Sequence, residues 1–395
     1  MSRYYSYINS AKEIIAAYTG AEPFASHLKK KFAANKKFGS KDRRQITQLC
    51  YAYFRLGRAF LELPTEERML VGLFLCHRSS NDLLLHLKPE WNDVIEISIE
   101  KKVAMLNKPI DASSIFPYSS ELSAGIDVDA FALSHLQQPD LFLRTRPGRK
   151  ETVLHQLKAA DIEFHLKGDA TIVLPNTTKI EDLIMLNKDA VVQDYSSQRV
   201  GELLKNLLPQ TFHPKPFVWD CCAASGGKSI MAKDILGDIE LTVSDVRESI
   251  LLNLKKRFAE AGIKNYNSKV VDLSHSAFTI HHSPYDLIMA DVPCSGSGTW
   301  GRTPEFLSFF NKASIDTYAV LQQKICTNAV TKLKPGGYFL YITCSVFKKE
   351  NEENVQWLQD VLQLQLVKSE VLIGYTQKAD TMFAALLQKQ SLPIA

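Results

Sequence analysis

From about residue 196 onward, strand-like runs alternate with helical ones, and no other feature constrains the fold as tightly. PFVWD (216–220) leads through a glycine turn into a helix reaching about 236. ELTVSD (240–245) precedes a helix over 249–262, and KVVDL (269–273) and YDLIMADV (285–292) follow. A long helix over about 313–333 is ended by Pro335-Gly336-Gly337, before YFLYITCS (338–345), a helix at 351–364 and strands near 366–373 and 382–388. Such alternation predicts an α/β fold with a doubly wound, mainly parallel sheet. Open sheets of this kind bind ligands beyond the carboxyl ends of their strands. The polar residues closing each strand are therefore the first candidates for chemistry.

The earlier part of the chain has a different texture. Up to about residue 115 it reads as helical, with apolar positions at helical spacing in Ile46, Leu49, Cys50, Tyr53 and Phe54, and again in Met69, Leu70, Leu73 and Phe74. Ser40 after Gly39 is the expected N-cap of one of these helices. Ser and Pro turn signals (Ser113, Ser114, Pro117, Ser119, Ser120) mark 116–139 as a linker. FLRTR (142–146), FHLKGDATIVLP (164–175) and AVVQD (190–194) read as strands around a helical stretch at 150–160. The expected layout is an all-helical domain over 1–115, the linker, a small α+β module over 140–195 and the sheet domain over 196–395.

Charge matters by placement rather than by total. The chain carries 47 Lys and Arg against 43 Asp and Glu. Residues 1–58 alone hold twelve against three. Lys29, Lys30, Lys31, Lys36, Lys37, Arg43 and Arg44 lie together, with Phe32 and Phe38 interleaved, which suits a polyanion. A solvated helix face is the other reading. Arg144 and Arg146, with Arg149 and Lys150, form a second positive group. No run of about 18 apolar residues could span a bilayer, and MSRYYSYINSAKEIIAAYTG has no continuous apolar core for a secretion signal. The seven cysteines show no C-x-x-C pairing. Free thiols in a reducing cytoplasm, with no metal, are the expectation. His281-His282 reads as a surface loop ahead of a strand.

Asp220-Cys221-Cys222-Ala223-Ala224-Ser225-Gly226-Gly227-Lys228-Ser229 sits between the first strand and first helix of the sheet, where small residues let backbone approach a ligand at a helix N-terminus. A phosphate-binding P-loop would need glycine at position 222, which is Cys, and the dinucleotide fingerprint is absent. Asp220, Asp245 and Asp272 instead close consecutive strands. Such an acidic rim suits cationic S-adenosylmethionine better than a triphosphate, although a strand-end Asp is also a common helix cap. Arg247, Asp291 and Pro293 fall on the same side of the expected crevice.

Two cysteines lie at neighbouring strand ends, in Asp291-Val292-Pro293-Cys294-Ser295-Gly296-Ser297-Gly298-Thr299 and in Thr343-Cys344-Ser345. Either alone reads as a small buried hydrophobe. A thiolate beside a methyl donor serves methylation of a pyrimidine ring carbon. Attack at C6 of cytosine makes C5 nucleophilic, dividing one hard step into two easier ones. An acid such as Asp291 would hold the N3/N4 edge of the base.

At these residues the chain resembles RNA (cytosine-5)-methyltransferases of the Fmu/Sun (RsmB-like) family. The resemblance implies a Rossmann-like class I methyltransferase domain, an S-adenosylmethionine cofactor, Cys344 as nucleophile and Cys294 as the thiol that helps resolve the adduct. It also implies donor contacts from Asp220, Cys222, Ala223, Ala224, Gly226, Gly227 and Lys228, with Ser225 in place of the family Pro and Ser229 in place of Thr. Asp245 matches the ribose-contacting acid and Asp272 the adenine-side acid. Gln193-Asp194-Tyr195-Ser196-Ser197-Gln198 is similar to the family's Q-D-x-x-S-Q motif. Gly301-Arg302-Thr303-Pro304-Glu305 is similar to its R-x-P-(D/E) turn, which implies that Arg302 meets RNA. The 380–385 stretch resembles the family's D-G-F-F-x-A strand, with Thr381 in place of Gly. Residues 142–195 look like the family's small RNA-binding module, and 38–58 is similar to a NusB-like helical extension of bacterial ribosomal RNA enzymes. The expected substrate is ribosomal RNA, with transfer RNA as the alternative, for a monomeric enzyme without a membrane partner. A nucleotide hydrolase using Lys228 and a catalytically silent RNA-binding factor remain as other classes.

Overall fold

The computed structural model describes residues 3–106, 111–205, 207, 215–275, 278, 280 and 284–390. His281-His282 lies outside them. The chain forms two compact units, one of residues 1–122, 126–139 and 299–312, the other of 123–125, 140–298 and 313–395.

The first unit is helical. Its helix Ser40–Arg55 buries Ile46, Leu49, Cys50 and Phe54, one stripe of a 3.6-residue period. Ser40 is the first helical residue rather than the cap. Gly39 holds the cap position, and Asp42 reaches back to accept its N–H at 2.8 Å while also taking the Tyr7 hydroxyl at 2.6 Å. Residues 116–139 are not a free linker. Phe116, Tyr118, Phe131 and Leu136 are buried, and a helix over Val128–Ser134 starts on an Asp127 side-chain cap. The buried Arg55 guanidinium donates to the carbonyls of His135 (2.8 Å) and Gln137 (3.1 Å), satisfying acceptors that burial would otherwise strand. The 299–312 segment completes this unit. Glu305 accepts the Phe24 N–H at 3.1 Å, and Tyr118 donates to the Phe310 carbonyl at 2.8 Å.

The second unit begins with a four-stranded antiparallel sheet, β1 (Leu141–Thr145), β2 (His165–Lys167), β3 (Thr171–Leu174) and β4 (Ala190–Val192), in the order β2-β3-β1-β4. The 164–175 run is thus a hairpin and not one strand, turned at Gly168 with φ 61°. A helix over Lys150–Ala159 packs Val153 and Leu157 against Leu143 and Ile172.

The main sheet contains β5 (Phe217–Asp220), β6 (Glu240–Asp245), β7 (Asn267–Val270), β8 (Tyr285–Asp291), β9 (Leu333–Thr343), β10 (Leu364–Leu372) and β11 (Met382–Lys389). Its order is β10-β11-β9-β8-β5-β6-β7. The five strands from β9 to β7 are parallel, and β11 runs antiparallel to both its neighbours. Helices over Gly227–Leu236, Glu248–Glu260, Ser314–Val330 and Glu352–Leu362 cover the faces. Pro335-Gly336-Gly337 does not end the long helix, which stops at Val330. It forms an irregular start to β9, where Gly336 takes φ 76° and the pairing with β8 slips register. Leu254 and Phe258 pack on one side, Trp219, Ile288 and Tyr341 on the other. Each such side chain contributes about 1.5–3 kcal/mol by burial. The strand order reverses between β5 and β8, which opens a crevice at their carboxyl ends.

Candidate active site

The β5–helix turn is held by unusual backbone. Ala224 has φ 45° and Gly226 φ 82°. A Cβ on Gly226 would meet Phe258 at 2.6 Å and Leu254 at 3.0 Å, so only glycine fits there. Ser225, the departure from the family proline, is anchored differently: Arg257 Nη1 donates to its Oγ at 2.7 Å and to its carbonyl at 3.1 Å. Asp245 pins the turn from the next strand, its carboxylate accepting the Ala224 N–H at 3.0 Å and the Arg247 N–H at 2.9 Å.

Asp220, at the end of β5, is fully enclosed. Ser229 Oγ donates to its Oδ2 at 2.5 Å, whereas Oδ1 is buried without a partner. Burial pushes its pKa up to about 7, against the opposing pull of the Ser229 hydrogen bond. Asp272 lies two residues beyond the end of β7, exposed, with Ser274 donating from N and Oγ at 2.8 and 2.6 Å and holding its pKa down. Beside the turn is a cavity of about 500 Å³. Cys222, Ala224, Asp245, Arg247, Asp272, Asp291 and Pro293 line it, facing an apolar wall of Val246, Val271, Leu273, Leu321 and Ile325. Asp220, Ala223, Ser225, Gly226, Gly227 and Lys228 lie outside that lining and build the turn and its surroundings.

On the other side of the crevice, Cys294 follows β8 and Cys344 follows β9, with their sulfurs 3.2 Å apart. Lys228 Nζ is 2.7 Å from Asp291 Oδ2. Burial pulls the Lys228 ammonium down, but Asp291, Cys344 and Asp220 together outweigh it and hold the pKa above its ordinary value. Lys228 is thus a fixed cation beside Cys344. Cys294 is held as a thiol, its pKa raised by its contact with Cys344 and by burial.

A group of side chains that sequence reading missed holds the two cysteine loops together. Glu350, fully buried, accepts the Ser295 N–H at 2.8 Å, the Ser345 hydroxyl at 2.7 Å and the Gln322 amide at 3.0 Å. The same Gln322 amide donates to the Pro293 carbonyl at 3.0 Å, and Asn351 Nδ2 donates to the Ser345 carbonyl at 2.9 Å. Burial raises the Glu350 pKa. The only signal was position, six residues after Cys344, inside a charged run that reads as a solvated helix start. Gly298 adds a backbone tie: its N–H donates to the Cys344 carbonyl at 2.9 Å, and a Cβ there would sit 1.8 Å from the Thr381 oxygen.

The expected RNA contacts divide. Lys29, Lys30, Lys31, Lys36, Lys37, Arg43 and Arg44 are all exposed on the helical unit, Lys30 paired with Glu22 at 2.7 Å. Arg144 and Arg146 do not form an exposed patch. They are drawn inward onto Asp234 at 2.7 and 2.8 Å, and Arg146 also donates to the carbonyls of Asn187 and Ala261. Arg302 belongs to the 299–312 segment of the helical unit. Among the described residues no group of three His, Cys, Asp or Glu could hold a metal ion, and no helix is long and apolar enough to cross a membrane.

Residues 207–391 match the family model of 16S rRNA methyltransferase RsmB/F. The ribosomal RNA small subunit methyltransferase B of Xanthomonas campestris is 29% identical over 216 residues, covering 51% of this chain and 48% of that protein. The human tRNA (cytosine(72)-C(5))-methyltransferase NSUN6 is 31% identical over 183 residues, covering 42% of this chain and 38% of that one. The chain thus spans about half the length of the curated relatives it matches. Among solved structures, PH0851 aligns with TM-score 0.70 at 20% identity over 97% of this chain and 98% of its own. NSun6 from Pyrococcus horikoshii with SFG aligns with TM-score 0.57 at 13% identity, over 70% of this chain and 97% of its own, and both likenesses show the fold. The domain over residues 207–391 belongs to the RsmB/F, or Fmu/Sun, methyltransferase family.

Proposed function

We propose that this protein is an S-adenosylmethionine-dependent RNA methyltransferase that forms 5-methylcytosine, with ribosomal RNA as its favoured substrate. The observation that carries this is the pair of thiols 3.2 Å apart beside the Lys228–Asp291 ion pair and next to the acidic cavity. The cavity suits the donor: carboxylates of Asp245, Asp272 and Asp291 face an apolar wall that would take a purine, and Asp220 Oδ1 is a buried polar atom without a hydrogen-bond partner beneath the turn. Bound there, S-adenosylmethionine would supply an electrophilic methyl group.

The protein's own residues do the rest. Cys344, as thiolate, bonds through Sγ to C6 of cytosine on the side of the crevice where Lys228 and Asp291 are paired. Asp291 holds the N3/N4 edge of the base and favours protonation of N3 from solvent, which balances the charge of the incoming thiolate, so that the electron pair of the C5–C6 double bond is available at C5. Once C5 carries its methyl group, water takes the C5 proton, the C–H electron pair re-forms the C5–C6 double bond, and Cys344 Sγ leaves C6 as a thiolate, its departure assisted by the Cys294 thiol beside it, while N3 gives up its proton. The target base must be single-stranded or flipped out to reach the thiols. The exposed lysines of the helical unit would hold backbone while the pocket reads the base. We place the reaction in the cytoplasm, carried out by a monomer without a metal.

The test is mass spectrometry of nucleosides from total RNA, fractionated into ribosomal and transfer RNA, after incubation with labelled S-adenosylmethionine. Label in 5-methylcytosine that disappears with Cys344→Ala is the expected result. Cys294→Ala should accumulate a covalent RNA–protein species, and the double variant should not. Label in any other nucleoside would overturn the thiol mechanism.

A further inference from the structure

The donor turn holds a conformation that its own residues do not enforce. Ala224 takes φ 45° without being glycine, and such a residue stays there only where its surroundings over-determine it. Asp245 restrains the turn from one side, through the Ala224 N–H. The helix Glu248–Glu260 restrains it from the other, presenting Leu254, Arg257 and Phe258 on one face at i, i+3 and i+4. Half-buried Arg257 grips Ser225 between the two left-handed residues, giving Nη1 to its Oγ and its carbonyl. The Ser225 N–H donates to no acceptor among the described residues.

Arg257 is in turn held from outside the main sheet. Its Nε donates to Asn187 Oδ1 at 2.9 Å, and Asn187 Nδ2 donates to Glu260 Oε2 at 2.7 Å, one residue short of the helix end. Asn187 lies just before β4 of the antiparallel sheet, buried and left-handed with φ 64°, its N–H bonded to the Ala190 carbonyl at 2.7 Å. Arg146 reinforces the joint, with Nη1 on the carbonyls of Asn187 (3.1 Å) and Ala261 (2.5 Å). Every hydrogen-bond acceptor of Arg257 among the described residues is neutral, so its guanidinium serves orientation rather than ion pairing.

We propose that Arg257 is a positioning residue for the methyl donor: the Asn187–Arg257–Ser225 relay fixes the donor turn in its binding shape, so that donor affinity in this chain depends on a side chain held by the antiparallel module. The proposal rests on the donor reading of the cavity given above. Arg257 is not among the residues lining that cavity, and its effect passes through Ser225. A turn whose shape is set before the ligand arrives has less freedom to lose on binding, and the saving appears as affinity. With the donor in place, donor and turn hold one another, so chemistry at the thiols does not need the relay.

The experiment is titration calorimetry of S-adenosylmethionine with the full-length protein, beside steady-state methyl transfer to RNA. Arg257→Gln should weaken donor binding about tenfold, the order expected when a charged hydrogen-bond donor is removed, and should raise the donor KM with little change in kcat. The sign is diagnostic. S-adenosylmethionine carries net positive charge, so removing a nearby cation would by charge alone strengthen binding. Asn187→Gly keeps the left-handed backbone and removes only the carboxamide; it should weaken binding about threefold and add nothing to Arg257→Gln. Proline at position 225 restricts φ by itself and sacrifices no N–H bond to a described residue. In a Ser225→Pro background, therefore, Arg257→Gln should change donor affinity by less than about twofold. Lys256→Gln, an exposed charge one position away, should leave affinity unchanged. Donor affinity unaltered by Arg257→Gln, or lost equally with and without Ser225→Pro, would overturn the relay while leaving the methyltransferase reading intact. A fall in kcat at unchanged donor KM would overturn it as well. Absence of donor binding by the wild type would bring down both.

Discussion

The two walls of the crevice are built on different principles. The donor side is held by backbone: Ala224 and Gly226 in left-handed conformations, with Asp245 accepting the N–H groups of Ala224 and Arg247. The thiol side is held by buried side chains, with Glu350, Gln322 and Asn351 tying residues 293–298 to residues 343–346. A backbone-built wall tolerates few residue types at a few adjacent positions. A side-chain wall depends on one charge-assisted network gathered from far along the chain, and it fails as a unit.

The sharpest way to separate the walls is Glu350→Ala. It strands the Ser295 N–H, at about 1–3 kcal/mol, and takes one acceptor each from the Ser345 hydroxyl and the Gln322 amide, which keep Ser297 and the Pro293 carbonyl as partners. Methyl transfer should fall on the order of 100-fold through misplacement of the thiols, while calorimetric affinity for S-adenosylmethionine stays the same, and Glu350→Gln should restore part of the rate. Equal loss of donor affinity would mean the two walls are not separate. Gly226→Ala is the converse. Strain at φ 82° and the contact with Phe258 should cost about 1–3 kcal/mol and weaken donor binding about tenfold. Adduct trapping in the Cys294→Ala background should persist at saturating donor.

A third test uses pH. The Asp220 pKa of about 7 in the folded state lies above its ordinary value of 3.8, so the folded protein holds a proton that the unfolded chain releases. Stability is therefore greatest below about pH 4 for this group and declines as pH rises through about 7, by at most about 1.4 kcal/mol per pH unit. Urea unfolding across this window should show the decline, and Asp220→Asn should remove it. The smallest expected effect is Ser225→Pro. Loss of the Arg257 hydrogen bond, about 1 kcal/mol, is offset by about 0.4–1 kcal/mol from a stiffer unfolded chain, so melting temperature and donor affinity should barely move.

What the sequence made legible follows the same division. The donor turn occupies ten consecutive residues whose strand-turn-helix setting is local, and the alternating pattern located both cysteines at strand ends. Glu350 was invisible because two of its three partners, Ser295 and Gln322, are 55 and 28 positions away, while its immediate neighbours are charged. Arg144 and Arg146 looked like a patch because they are clustered cations. Arg144 lies on β1 and Arg146 just beyond its end, and both guanidinium groups turn onto Asp234, about 90 residues later. The 116–139 stretch was read from its serines and prolines, whereas Phe116, Tyr118, Phe131 and Leu136 decided its fate.

The membership of residues 299–312 in the helical unit sets an order of events during synthesis. Domains ordinarily fold as units as they leave the ribosome, N-terminal first. Here the acceptor for the Phe24 N–H and for the Tyr118 hydroxyl is made roughly 160 residues after the rest of the unit has emerged. The helical unit therefore waits, incomplete, until β5 to β8 of the main sheet have been translated. A nascent chain halted at residue 139 should be far more open to protease than the same residues in the finished protein.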